Sequence, residues 1–205
     1  MKCFPAAPLA GFLDPARASG DTFRLVLDAM ARPGSRVAIP ASGAVSPPGV
    51  PASAAATLLT LLDHETPYWA CPELATPELR GWIAFHCGAP LVASPGEARF
   101  ALASGGADGP PLSAYMAGED RYPDRSATIL VVCASLTGGE KAVLSGPGIL
   151  GERVIAPSGL RASFWDEARQ NHDRFPLGVD LILCAGDELL CLPRSTAIEP
   201  FGEGG

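Results

Sequence analysis

The eight residues Ala127–Ala134, ATILVVCA, constrain this chain more than any other stretch. They are continuously apolar and rich in β-branched side chains. Such a run predicts a central strand covered on both faces, as in a parallel sheet. Further on, Val179–Ala185 and Glu188–Leu192 flank Gly186-Asp187, the pattern of a hairpin. The first half alternates between helical and strand patterns. Helices are expected over 21–31, 52–62 and about 77–86. In the first, Asp21 is the expected cap and Phe23, Val26, Leu27 and Met30 share a face; Pro33-Gly34 stops it. In the third, Leu79, Trp82, Ile83 and His86 form one stripe behind Pro77. Short strands are expected at 36–39, 67–70, 90–92 and 98–102. Residues 141–145 are expected to pair back on 127–134 around Gly138-Gly139, followed by a strand at 152–155. A fourth helix near 158–171, opening at Ser158, would turn Phe164, Trp165 and Ala168 inward. The combination predicts an α/β fold with a mixed sheet and helices on both faces.

The length of 205 residues fits one domain. It is expected over 20–198, after a loose arm at 1–19 and before a flexible tail at 199–205. With 47% hydrophobic residues the chain can bury a core, which excludes disorder as a whole. Residues 103–125, rich in Gly and Pro, show no period and read as a surface segment. The net charge of −7, with 13 Arg and 2 Lys, excludes a broad nucleic-acid surface. No apolar run reaches the roughly 18 residues of a membrane helix. Pro5 and Pro8 interrupt the apolar start, which reads as an arm rather than an export signal. Six cysteines without a Cys-x-x-Cys pair predict free thiols in a reducing cytoplasm.

Few residues carry recognisable chemistry. His64, His86 and His172 are too far apart for a helical metal pair, so no metal is expected. His86 is the one candidate polar site among them. Ser145-Gly146-Pro147-Gly148 follows a strand, and its backbone could face an anion. It lacks the full phosphate-loop pattern, and Pro147 removes one donor. Arg194 with Gly146 and Gly148 is therefore a candidate anion site, against the simpler reading of a turn. Lys2 and Lys141 are the two lysines, and neither position suits a buried imine with pyridoxal phosphate. No catalytic set and no cofactor is expected from the residues alone.

Ordered strings go further. Asp21-Thr22-Phe23-Arg24 with Leu27–Met30 and Pro33-Gly34 opens the series. Leu58–Asp63 with Thr66-Pro67, and Phe85-His86 with Ala89–Val92, follow it. Ser145-Gly146 with Gly148-Ile149, and Phe175–Leu183 with Pro193-Arg194, close it. Over about 20–198 this order resembles the H subunit of the bacterial carbon–phosphorus lyase core complex. The resemblance implies a three-layer α/β/α sandwich, like the large domain of pyridoxal-phosphate-dependent transferases without the cofactor. It implies a place in organic phosphonate catabolism, with the G, I and J subunits as partners and a homodimer when isolated. In that pathway, with the G, I and L subunits, alpha-D-ribose 1-methylphosphonate 5-triphosphate forms from ATP and methylphosphonate with release of adenine. The nucleosidase chemistry belongs to the I subunit, and a radical subunit later cleaves the carbon–phosphorus bond. The resemblance carries over no catalytic residue. Two roles stay open: a structural subunit, or a ligand-binding or catalytic subunit with its own anion pocket.

Overall fold

The computed structural model describes residues 9–106 and 109–201. Residues 1–8 of the expected arm, with Lys2 and Cys3, and residues 202–205 of the tail lie outside them.

The first helix, α1 (Pro15–Ala31), opens earlier than residue 21. Asp14 is its cap, accepting from the Arg17 amide, and Pro15 sits in the first turn, where its missing N–H costs nothing. Asp21 instead lies inside the helix and pairs with Arg17 and Arg24. The buried stripe is Ala18, Thr22, Val26 and Ala29. Phe23 and Leu27, expected on the core side, are half-exposed. The small alanines allow close approach to α2 (Ala52–Leu61), which Phe23 and Leu27 on that side would prevent. The turns of α2 bury alanines almost completely, as its all-round apolar sequence predicts.

The main sheet has six strands, placed β1-β8-β7-β4-β3-β2. These are β1 (Val37–Ala38), β2 (Tyr68–Ala70), β3 (Phe100–Ser104), β4 (Thr128–Val132), β7 (Asp180–Ala185) and β8 (Glu188–Leu192). β2, β3, β4 and β7 run parallel, with Phe100 opposite Thr128 and Thr128 opposite Asp180. β8 turns back antiparallel on β7, with Leu181 opposite Leu192, and β1 pairs antiparallel with β8. β4 lies in the interior of the sheet with Ile129, Leu130 and Val131 buried, as its continuous run predicts. The fold is α/β with a mixed sheet. α1 and α2 pack on β8, and α2 also on β7. The third helix, α3 (Pro77–His86), is capped by Thr76 and buries Leu79, Trp82 and Ile83.

Three further expectations need correction. The strand expected at 90–92 is reduced to a single bridge between Tyr68 and Leu91. Residues 141–145 do not form a hairpin with 127–134. β5 (Ala142–Ser145) leaves the main sheet and pairs with β6 (Arg153–Ile155) and β9 (Ala197–Pro200) in a separate three-stranded sheet. The cause is competition: β3 and β7 already occupy both edges of β4. The fourth helix, α4 (Phe164–His172), opens after Ser163 rather than at Ser158. Ser158 is held instead by backbone pairing with Ser135. Phe164, Trp165 and Ala168 do turn inward. Within 103–125, Leu112 and Tyr115 are buried, and Tyr115 meets Trp69 edge-on. That segment is anchored more firmly than its composition predicts.

Candidate functional site

The parallel strands have two ends of different character. At the carboxyl end the chain crosses its own strands. The Ala134 amide donates to Ser158 O, the Ser158 amide to Ser135 O, and the Arg161 amide to Gly105 O. Gly105 has no side chain because a Cβ would stand 2.8 Å from Gly159 O and 2.9 Å from Val132 O. Arg161 then fixes the crossing. Its Nε and Nη2 donate to Glu167 at 3.0 and 2.5 Å, and Nη2 also reaches Pro110 O at 3.4 Å. Ser163 Oγ and the Leu112 amide donate to the same carboxylate. Burial alone would raise the Glu167 pKa. The Arg161, Ser163 and Leu112 hydrogen bonds outweigh it and hold the carboxyl below its ordinary value. A recess of about 210 Å³ remains beside Glu140, Arg161 and Trp165.

The amino end is open. A cavity of about 320 Å³ lies between Glu65, Arg99, Asp124, Ser126 and Thr128, and one of about 570 Å³ adjoins it across Arg99. The Arg99 carbonyl accepts from the Thr128 amide, so β3 and β4 set these two residues side by side.

The expected site residues go to separate places. His86 Nε2 lies 2.8 Å from Leu9 O, and the ring meets Trp82 and Phe85 edge-on. Gly11 passes so close that a Cβ would stand 2.8 Å from the ring. His86 thus fastens residues 9–11 to α3. Arg194 does not turn toward the Gly146 loop. Its Nε and Nη2 grip Asp180 at 3.2 and 2.6 Å, and Nη1 donates to Pro123 O at 2.7 Å. This is a two-pronged charge-assisted contact that fixes the 123 loop against the start of β7. Gly146 lies beside the Ser195 carbonyl, and Gly148 (φ +82°) packs on Ala31 O at the end of α1. The loop thus seats on protein backbone. Lys141 lies over the Phe201 ring. His172 Nδ1 is 3.0 Å from Arg194 O, and His64 is exposed.

The five cysteines of the described residues are unpaired. Burial pushes the Cys133 thiol up to about 12 and that of Cys87 to about 11, and raises those of Cys71, Cys184 and Cys191. At neutral pH such thiols stay protonated and are poor nucleophiles. Among the described residues no group of three His, Cys, Asp or Glu side chains could hold a metal ion. No helix there is long and apolar enough to cross a membrane.

Residues 10–199 match the family of the bacterial phosphonate metabolism protein (PhnH). The chain belongs to that family. It is 40% identical over 188 residues to the alpha-D-ribose 1-methylphosphonate 5-triphosphate synthase subunit PhnH of Rhizobium meliloti (strain 1021). That alignment covers 92% of this chain and 94% of the relative. A protein of Stutzerimonas stutzeri named as a C-P lyase subunit, HtxG, is 39% identical over 80 residues, 39% of this chain and 41% of its own.

For this PhnH-family chain, sequence reasoning missed Asp180, Arg99 and the Arg161–Glu167 pair. The first was readable. With Leu181 opposite Leu192, the 180–192 hairpin brings Asp180 beside Pro193-Arg194. Arg99 carries no local signal, because its setting comes from strands far apart in sequence.

Proposed function

We propose that this chain is a structural subunit of the assembly that makes alpha-D-ribose 1-methylphosphonate 5-triphosphate from ATP and methylphosphonate with release of adenine. That assembly belongs to the carbon–phosphorus lyase complex of organic phosphonate catabolism. The observation that carries the reading is the alignment with a named synthase subunit over 94% of its length. The building role is supported by His86 and Arg194, which hold the chain's own loops in place. In this reading the fold is a three-layer α/β/α sandwich akin to the large domain of pyridoxal-phosphate-dependent transferases, working without the cofactor. The partners are the G, I and J subunits, in the cytoplasm, and the isolated chain pairs as a homodimer. Leu13, Phe85 and Leu150 are 86%, 69% and 101% exposed, which suits side chains that a partner covers.

The test is reconstitution. Purified G, I, J and L subunits are mixed with or without this chain, and adenine release from ATP and methylphosphonate is measured per assembled particle. The chain alone should release none, and release should require the particle it completes. His86→Ala should lower particle recovery and adenine release together. A His86→Ala particle that assembles fully but turns over about a hundredfold more slowly, the size of a lost general acid or base, overturns the building role.

A further inference from the structure

We infer that the open amino end of the parallel sheet is a binding site for a small hydroxylated oxyanion, a sugar phosphate by chemical class, with Arg99 and Ser126 receiving the phosphoryl group. Five arginines of the described residues are half-buried. Arg153 donates to Pro33 O, Arg161 to Glu167, Arg169 to Asp166 and Arg194 to Asp180. Arg99, the fifth, has no side-chain partner among the described residues, although Glu65, Asp124 and Glu119 line the same two cavities. A guanidinium that no protein group engages beside a cavity is free to take an anion in a charge-assisted, two-pronged contact.

Ser126 gives a second, independent indication. The residue is 8% exposed, it lines the cavity, and its hydroxyl has no hydrogen-bond partner among the described residues. Thr128, two residues on, is at the first position of β4 and lines the same cavity. Successive odd or even positions of an extended chain share a side, so the two hydroxyls belong to one wall. Arg99 stands on the neighbouring strand, where the Thr128 amide donates to its carbonyl at 2.9 Å. One guanidinium and two hydroxyls form a donor set for a phosphoryl oxygen. Glu65 and Asp124 restrict the ligand further. Carboxylates repel a bare polyanion but accept hydrogen bonds from sugar hydroxyls. The cavity of about 320 Å³ is large enough for a pentose phosphate and lies within the range of small-molecule sites.

This inference does not rest on the assembly role, because it is tested on the isolated full-length chain. Ribose 5-phosphate is titrated by calorimetry, with inorganic phosphate and ribose as comparison probes. Ribose 5-phosphate should bind with a millimolar or lower Kd, and each comparison probe should bind about fivefold or more weakly, since each keeps half of the contacts. Arg99→Gln should weaken ribose 5-phosphate about tenfold or more, as loss of a charged hydrogen bond does. Arg99→Lys, which keeps the charge but not the fork, should give an intermediate loss. Ser126→Ala should weaken it about threefold with an unchanged melting curve. Arg36→Gln, at a distant surface, should change nothing. No heat of binding up to about 10 mM overturns the inference, on the affinity scale of small ligands. So do equal affinities of Arg99→Gln and Arg36→Gln, or inorganic phosphate binding as tightly as the sugar phosphate.

Discussion

The two ends of the parallel strands both carry polar side chains, yet they differ in what those side chains touch. At the carboxyl end the crossing segment is tied to the rest of the chain: Arg161 meets Glu167, and the Ser158 backbone meets Ala134 and Ser135. At the amino end Arg194 grips Asp180 at the start of β7, but beside it Arg99, Ser126 and Thr128 face a cavity. Open α/β sheets ordinarily take ligands at the carboxyl ends of their strands. Here that end is occupied by residues 156–161, drawn across β3 and β4 by backbone pairing. A sheet of this kind can thus be closed where its relatives by architecture are open, and the position of a site follows from which end the chain leaves unbridged.

The contrast can be broken most severely at Gly139. A Cβ there would stand 2.0 Å from Pro157 O and 2.6 Å from Pro157 C, both backbone atoms. Gly139→Ala must push the crossing segment off the sheet, at about 3 kcal/mol by the scale of overpacking. Urea unfolding should show the loss, and the 156–161 amides should lose hydrogen-exchange protection. A midpoint unchanged from the parent would mean that the crossing does not bear on stability.

Next in size is the clamp. Arg161 and Glu167 side chains are 14% and 16% exposed. Arg161→Met leaves the carboxylate with fewer partners and should cost about 2 kcal/mol in urea unfolding. At the other end Arg99→Gln should cost no more than about 0.5 kcal/mol, the level of an ordinary surface change. Equal losses at the two positions would erase the difference between the ends.

Acid sharpens the same comparison with a smaller effect. Glu167 has its folded pKa held below the ordinary value by its hydrogen bonds. Its contribution is therefore complete above the unfolded value of about 4.3 and is lost as pH falls through the lowered folded pKa. Melting temperature should decline over that interval more steeply in the parent than in Glu167→Gln. Parallel declines would show that Glu167 is not one of the groups protonated on acid unfolding.

The sequence shows the core of this fold because its signal is local. The apolar run at 127–134 is central in the sheet, and the Gly186-Asp187 hairpin forms with Leu181 opposite Leu192. Strand partners were less legible. The 141–145 segment has the pattern of a hairpin arm, but nothing local reveals that β3 and β7 flank β4. The candidate cavity is hidden for the same reason, since Arg99 and Ser126 come to line one cavity only after β3 and β4 pair. A histidine on the α3 stripe suggests chemistry, but the partner of His86 is the backbone of Leu9, 77 residues away in sequence.

Cysteine labelling tests the closed and open ends most directly. Cys71 and Cys133 follow β2 and β4 at the carboxyl end and are 2% and 7% exposed. Thr128→Cys places a thiol at the amino end, on the cavity wall. With the folded full-length chain at pH 8, iodoacetamide and peptide mass spectrometry should find Thr128→Cys modified within minutes, and Cys71 and Cys133 at least about a hundredfold more slowly, as buried thiols of raised pKa require. Labelling of Cys71 or Cys133 as fast as Thr128→Cys would contradict the account.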